Sequence, residues 1–169
     1  MPDSLLKEKD VNLLSLEDLK IVRAKLDERS QAHCLAKWYQ VTLNLHNGRS
    51  ASCCLQPSKP LPRGGVVADP SLLHNTKAHI QDRIDLRRGK KIQSCASCWT
   101  AEERGSFSER HFKSADSWAW EKLSDADGDA RDIQPTYVEV SFSSQCQLRC
   151  SYCNPETSSS ISKETPFSE

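Results

Sequence analysis

The placement of eight cysteines in 169 residues most limits what this chain can fold into. Three of them, Cys146, Cys150 and Cys153, lie within one short loop. An alternating apolar pattern over 137–142, typical of a short strand, comes directly before that loop. Three thiols at this spacing can converge on one inorganic centre, and thiolates are the ligands that zinc and iron–sulfur clusters select. The sequence therefore predicts a metal site at the end of a strand.

This site is predicted to be open, with one coordination position left to a small molecule. A closed structural zinc site needs four protein ligands. No Cys or His follows Cys153, and the nearest His before the loop is His111. Three thiolates on a cubane cluster would leave one iron free.

The run from Cys146 to Cys153, CxxxCxxC with Tyr152 before the last cysteine, resembles the radical S-adenosylmethionine (SAM) superfamily. The resemblance implies that Cys146, Cys150 and Cys153 bind a 4Fe-4S cluster and that Tyr152 lies beside the adenine of SAM. In that family the fourth iron binds SAM, and one-electron reduction cleaves SAM to a 5′-deoxyadenosyl radical that abstracts hydrogen. An electron donor such as ferredoxin or flavodoxin is then an expected partner, and a peptide or protein is the leading substrate class.

Composition limits the partners and the cellular compartment that we expect for this chain. Lysine plus arginine equals aspartate plus glutamate, 23 of each, so we expect neither nucleic acid nor an anionic membrane as a partner. The N-terminus lacks the apolar core of a signal peptide, and no run of eighteen apolar residues occurs. We expect a cytoplasmic protein, whose cysteines are metal ligands rather than disulfides. The chain has 37% hydrophobic residues and a mean hydropathy of −0.64, so we do not expect one large core. Metal sites would then supply stability that the core does not.

A second group of four thiols is predicted upstream, at Cys34, Cys53, Cys95 and Cys98. Two-residue spacing lets Cys95 and Cys98 reach one metal from a single turn. The period-two pattern around Asn47-Gly48 predicts a hairpin with a two-residue turn that pairs Thr42 with Cys53. In that register Cys54 is buried beside Val41 and Cys53 is the freer ligand, whereas a slip of one residue would exchange them.

This four-cysteine pattern resembles the auxiliary-cluster modules of radical SAM enzymes, the SPASM domain and its shorter twitch variant. The absence of cysteines soon after Cys98 makes the single-cluster twitch form the better fit. Such modules more commonly follow the barrel, so the order here departs from the common pattern. The competing interpretation is a non-catalytic zinc ribbon that serves as an interaction module, since thiol spacing does not separate zinc from iron.

Local patterns predict the remaining elements. Ser15 and Asp18 form a capping box that opens a helix, and Asn75 or Thr76 caps a second helix that runs from about Thr76 to Arg88. The segment 56–71 is predicted to be a loop and 114–134 a solvated linker. We interpret the histidines as surface or hairpin side chains, with His33 a possible substitute ligand; they are His33, His46, His74, His79 and His111.

The expected fold class is α+β. It comprises a helical segment at 1–33, a cysteine-rich hairpin-plus-helix auxiliary iron–sulfur module at 34–113, a linker at 114–135, and the start of a radical SAM domain at 136–169. A complete barrel of strand–helix units needs roughly 200 residues, so we expect an N-terminal fragment of a longer enzyme. The strand at 137–142 would then have no parallel neighbour.

Overall fold

The computed structural model describes residues 10–62, 64–148, 150, 151, 153, 155 and 158–163. The fold is α+β, with a small mixed sheet of four strands and several short helices. The strands are β1 (Gln40–Asn44), β2 (Arg49–Ala51), β3 (Lys59–Pro60) and β4 (Tyr137–Ser141). The helices are α1 (Leu16–Asp27), α2 (Leu35–Tyr39), α3 (Gly65–Ala68), α4 (Lys77–Arg87), α5 (Ala96–Glu103), α6 (Glu109–Ala115), α7 (Ser117–Trp120) and α8 (Ser159–Ser162).

Local capping begins the two longest helices where the sequence predicts. The Ser15 hydroxyl accepts a hydrogen bond from the backbone N–H of Asp18, and the Asp18 carboxylate accepts one from the backbone N–H of Ser15. The predicted capping box of α1 is therefore confirmed. Thr76 caps α4 by accepting from the backbone N–H of His79 at 3.1 Å. Gly89, with a φ of +78°, follows the end of that helix, a conformation that costs glycine little.

The sheet runs in the order β3-β2-β1-β4. Strands β1 and β2 are antiparallel and join through the predicted hairpin, but Thr42 pairs with Ala51 instead of Cys53. The turn spans four residues, 45–48, instead of the predicted two, and the backbone N–H of Leu45 donates to the carbonyl of Ser141 in β4. The register differs from the prediction by two residues, so Cys53 falls beyond the end of β2.

Strand β4 pairs in parallel with β1 along its whole length, from Gln40–Tyr137 to Asn44–Ser141. The expectation that the strand at 137–142 has no parallel neighbour is wrong. The hairpin and the strand that precedes the three-cysteine loop therefore belong to one sheet.

The hydrophobic core lies among the helices. It contains residues of α1, α2, α4, α5 and the 115–133 segment: Val22, Leu26, Leu35, Trp38, Leu86, Trp99, Ala115, Ala119, Trp120, Ala126 and Ile133. The interpretation of 114–134 as a solvated linker is wrong. The segment contains α7, and its Trp120 side chain packs within the core.

Part of the predicted loop at 56–71 also has regular structure. It contains β3, the single turn α3 and the start of a 3₁₀ turn at Pro70–Leu73. Strand β3 pairs with β2, so this segment completes the far edge of the sheet.

Candidate metal centre

One small cavity is lined by all four cysteines of the upstream group. Cys34 immediately precedes α2, Cys53 lies in the turn after β2, and the other two flank the start of α5. Three separate segments of the chain therefore deliver thiols to one place. The four are Cys34, Cys53, Cys95 and Cys98.

The fold also distinguishes Cys53 from its neighbour. Cys53 lines the cavity, whereas Cys54 is exposed. The expectation that Cys54 is buried beside Val41 is wrong, because β2 ends at Ala51 and the chain turns before residue 54. Cys53 stays the predicted ligand of the two.

Burial favours the protonated thiol at Cys34 and Cys95. Desolvation raises the pKa of Cys34 to about 11, and the nearby Cys95 adds to the shift. Burial also raises the pKa of Cys95. A hydrogen bond to Cys54 raises the pKa of Cys53, and burial reinforces that effect. Metal binding would have to displace these protons, so it would be favoured by rising pH.

Nearby hydrogen-bond donors lower the pKa of three of the four thiols. The backbone N–H of Lys37, which donates to the carbonyl of Cys34 at 3.1 Å, lowers the pKa of the Cys34 thiol, and the backbone N–H of Leu55 lowers that of Cys53. The Ser94 hydroxyl lowers the pKa of Cys95. Such bonds favour the thiolate and are among the contacts that tune iron–sulfur centres. The chemistry of the donor set therefore fits a four-thiolate metal centre.

The sulfurs do not yet form a closed ligand set. Within the described parts of the chain, no group of three or more His, Cys, Asp or Glu side chains is arranged to hold a metal ion. The four cysteines share a cavity, so a metal would have to draw them together.

The three-cysteine loop follows β4. Cys146, Cys150 and Cys153 are each partly buried. The backbone N–H of Cys146 donates to the Ser159 hydroxyl at 3.1 Å, which connects the loop to α8. Within the described residues, the sulfurs of these three cysteines are not arranged to hold a metal ion either. Tyr152, the expected neighbour of the SAM adenine, lies outside the described residues.

The histidines are mostly internal, which corrects their interpretation as surface side chains. Only His46 is exposed; the buried ones are His33, His74, His79 and His111. His74 and His79 bond to backbone carbonyls, and His111 accepts from the backbone N–H of Ser108. His33 contacts the Trp38 ring and is absent from the lining of the four-cysteine cavity.

Two buried cations line the same cavity, Lys37 and Arg110. Arg110 belongs to the polar stretch after Cys98 in the sequence. Sequence reasoning missed Lys37, which stands in the otherwise apolar run of α2 and carries no motif that would single it out.

Comparison with protein-family models, with curated protein sequences and with solved structures found no match to this chain. Among the described helices, none is both long enough and apolar enough to cross a membrane.

Proposed function

We propose that this chain is a metal-binding protein whose upstream centre is held by Cys34, Cys53, Cys95 and Cys98. One observation carries the proposal: residues separated by up to 64 positions line a single cavity. Thiols so far apart in sequence share a cavity only because the hairpin, α2 and α5 pack together. A cytoplasmic, reducing compartment would keep these thiols available for metal.

For the downstream loop we propose the chemistry of the family that it resembles, the radical SAM superfamily. Cys146, Cys150 and Cys153 would hold a 4Fe-4S cluster, and Tyr152 would lie beside SAM. When bound, the cluster would supply the electron that cleaves SAM and starts hydrogen abstraction from a peptide or protein substrate. The placement of the loop directly after a strand with a parallel neighbour supports this proposal.

On this proposal β4 is the first strand of a radical SAM barrel. The upstream site is then an auxiliary iron–sulfur centre of the twitch type. Ferredoxin or flavodoxin would be the electron donor.

A second function, a zinc-binding interaction module without catalysis, is favoured by the same four-cysteine cavity. A tetrahedral zinc site uses four thiolates and requires no downstream cluster. The spacing of the thiols fits both metals.

Anaerobic reconstitution with iron and sulfide tests these functions in the full chain. We expect about eight irons per chain, about four in the triple variant C146S/C150S/C153S, and about four in the double variant C95S/C98S. The variant C54S serves as the control and should match the parent chain, because Cys54 lies outside the cavity.

Other results would favour the alternative or overturn both functions. One tightly bound zinc that is lost in C95S/C98S, with Cys146, Cys150 and Cys153 still open to alkylation, would favour the zinc module. A chain that binds neither metal would overturn both proposals.

A further inference from the structure

The lining of the four-cysteine cavity holds fixed positive charge as well as sulfur. Lys37 and Arg110 line the cavity, and their side chains are only 1% and 2% exposed. A buried charge is costly unless it is paired. The pairing of each cation therefore indicates how much positive charge is left in the cavity to balance a bound anionic group.

Arg110 is closely paired. Its guanidinium donates to both carboxylate oxygens of Glu102, at 3.0 and 2.9 Å, and to the backbone carbonyl of His33 at 2.9 Å. The partly exposed Asp27 lies 3.5 Å away. This bidentate pair satisfies the geometry of arginine and leaves little positive charge for the cavity.

Lys37 is paired less completely. Its ammonium donates to the amide oxygen of Gln56 and lies 3.3 Å from a carboxylate oxygen of Asp82. The same oxygen of Asp82 accepts from Lys59 at 2.8 Å and from Gln56 at 2.7 Å. Two ammonium groups therefore share one carboxylate, and the shorter ion pair goes to Lys59. The group of Lys37, Lys59 and Asp82 carries one net positive charge.

A four-thiolate centre would carry the opposite charge. Four thiolates with one Zn²⁺, or with a 4Fe-4S core of charge +2, have a net charge of −2. Such a charge in a buried site is stabilised by a nearby cation with charge to spare. Lys37 lines the cavity, whereas Lys59 does not; the half-buried Glu109 and Lys113 also line it, and their opposite charges offset each other.

We infer that Lys37 is a positioning residue for the four-cysteine centre, and that its ammonium compensates the negative charge of the bound thiolate–metal unit. The inference rests on the proposed metal-binding function. Asp82 opposes Lys37 in this role, because its carboxylate takes up part of the positive charge.

The test measures zinc affinity by competition with a chelator, in the full chain carrying C146S/C150S/C153S so that one site remains. We expect K37Q to weaken zinc binding by about 10–100-fold, the usual effect of losing a group that supports metal ligands. K37R keeps the charge and should restore binding to within about threefold of the parent. K77Q is the matched control. It removes an exposed lysine from the helix that carries Asp82, away from the cavity and from the shared carboxylate, so its affinity should stay within about threefold.

Substitution of Asp82 provides a second test, in which zinc affinity is expected to rise instead of fall. D82N leaves both lysine charges without their shared carboxylate, so we expect tighter zinc binding than in the parent. If Lys37 and Asp82 only held the fold together, D82N would weaken binding as K37Q does. Circular dichroism of each metal-free variant shows whether it is folded.

Failure of the proposed function and failure of the inference about Lys37 would give different results. If the parent chain binds no zinc at this site, the proposed function fails. If the parent binds zinc and a folded K37Q binds it equally well, or if D82N weakens binding, the inference about Lys37 is overturned while the metal site stands.

Discussion

Arg83 is a fully buried cation whose hydrogen bonds go to neutral oxygens. Its guanidinium donates to the Asn75 amide oxygen, to the backbone carbonyl of Ala130 and to that of His74, each at 2.9 Å. Burial lowers its pKa to about 10, so it stays charged at neutral pH. One side chain thus connects α4 to the segment before it and to the chain that leads into β4.

We expect Arg83→Met to lower the free energy of unfolding by about 1–3 kcal/mol, because buried carbonyl groups lose their donor. Urea denaturation of the metal-free chain measures the change. Arg88→Met, at an exposed position on the same helix end, is the control and should change stability by less than about 0.5 kcal/mol. Equal midpoints for the two variants would contradict this account of Arg83.

Thiol reactivity should distinguish the exposed Cys54 from the buried Cys34. Cys54 is exposed, and a hydrogen bond from Cys53 lowers its pKa to about 6. Cys34 is buried with a pKa of about 11. At pH 7 we expect iodoacetamide to alkylate Cys54 at least about 100-fold faster than Cys34 in the metal-free chain, since the thiolate is the reacting form.

Peptide mapping by mass spectrometry after short reaction times reads out this difference. Labelling of Cys34 should keep accelerating up to about pH 11. Similar rates at the two sites would contradict the burial of the four-cysteine cavity.

At the scale of elements, β4 is an edge strand with an apolar surface. It occupies the end of the sheet order, and its Val138 and Val140 side chains are 51% and 41% exposed. Phe142, just beyond the strand, is 77% exposed. The alternating pattern at 137–142 correctly predicts a strand, but its apolar residues are not buried in the described chain. An exposed apolar edge favours association with other strands.

We expect Val140→Lys to reduce self-association without unfolding the protein, because a charge on an edge strand opposes strand pairing. Light scattering against concentration measures association, and thermal unfolding measures stability. Leu43→Lys is the matched contrast. Leu43 pairs with Val140 but is 7% exposed, so its change should cost at least about 3 kcal/mol. Unfolding by Val140→Lys would show that the β4 surface is covered.

At the scale of the whole molecule, four buried histidines connect stability to pH. Desolvation lowers the pKa of His33 and His74 to about 3, and that of His79 and His111 to about 4, from the ordinary value of 6.5. Between pH 6.5 and about 4 the unfolded chain therefore binds more protons than the folded one. The stabilisation is fully present above pH 6.5 and is lost as the pH falls.

We expect the free energy of unfolding to fall by about 1.4 kcal/mol per pH unit for each such histidine as the pH drops from 6 to 5. Urea unfolding at pH 7, 6 and 5, with chelator present, measures the slope. His79→Gln should reduce the slope by the contribution of one histidine, about 1.4 kcal/mol per pH unit. A flat profile in the parent would contradict the buried, neutral state of the four histidines.

The sequence by itself determined the local features that depend on interactions between neighbouring residues. The capping box at Ser15, a helix cap at Asn75 or Thr76, the hairpin at Asn47-Gly48 and the strand before Cys146 all follow from interactions within a few positions. The preference for Cys53 over Cys54 stays a prediction, because the register on which it depended differs by two residues and Cys54 is exposed instead of buried.

Tertiary structure alone decided which of these elements meet. The parallel pairing of β4 with β1 joins residues nearly 100 positions apart, and no local pattern specifies it. The same holds for the burial of Trp120 and of four histidines, and for Lys37 beside the cysteines. Each depends on helices and strands excluding water together, and that free energy belongs to the packed core rather than to any single segment.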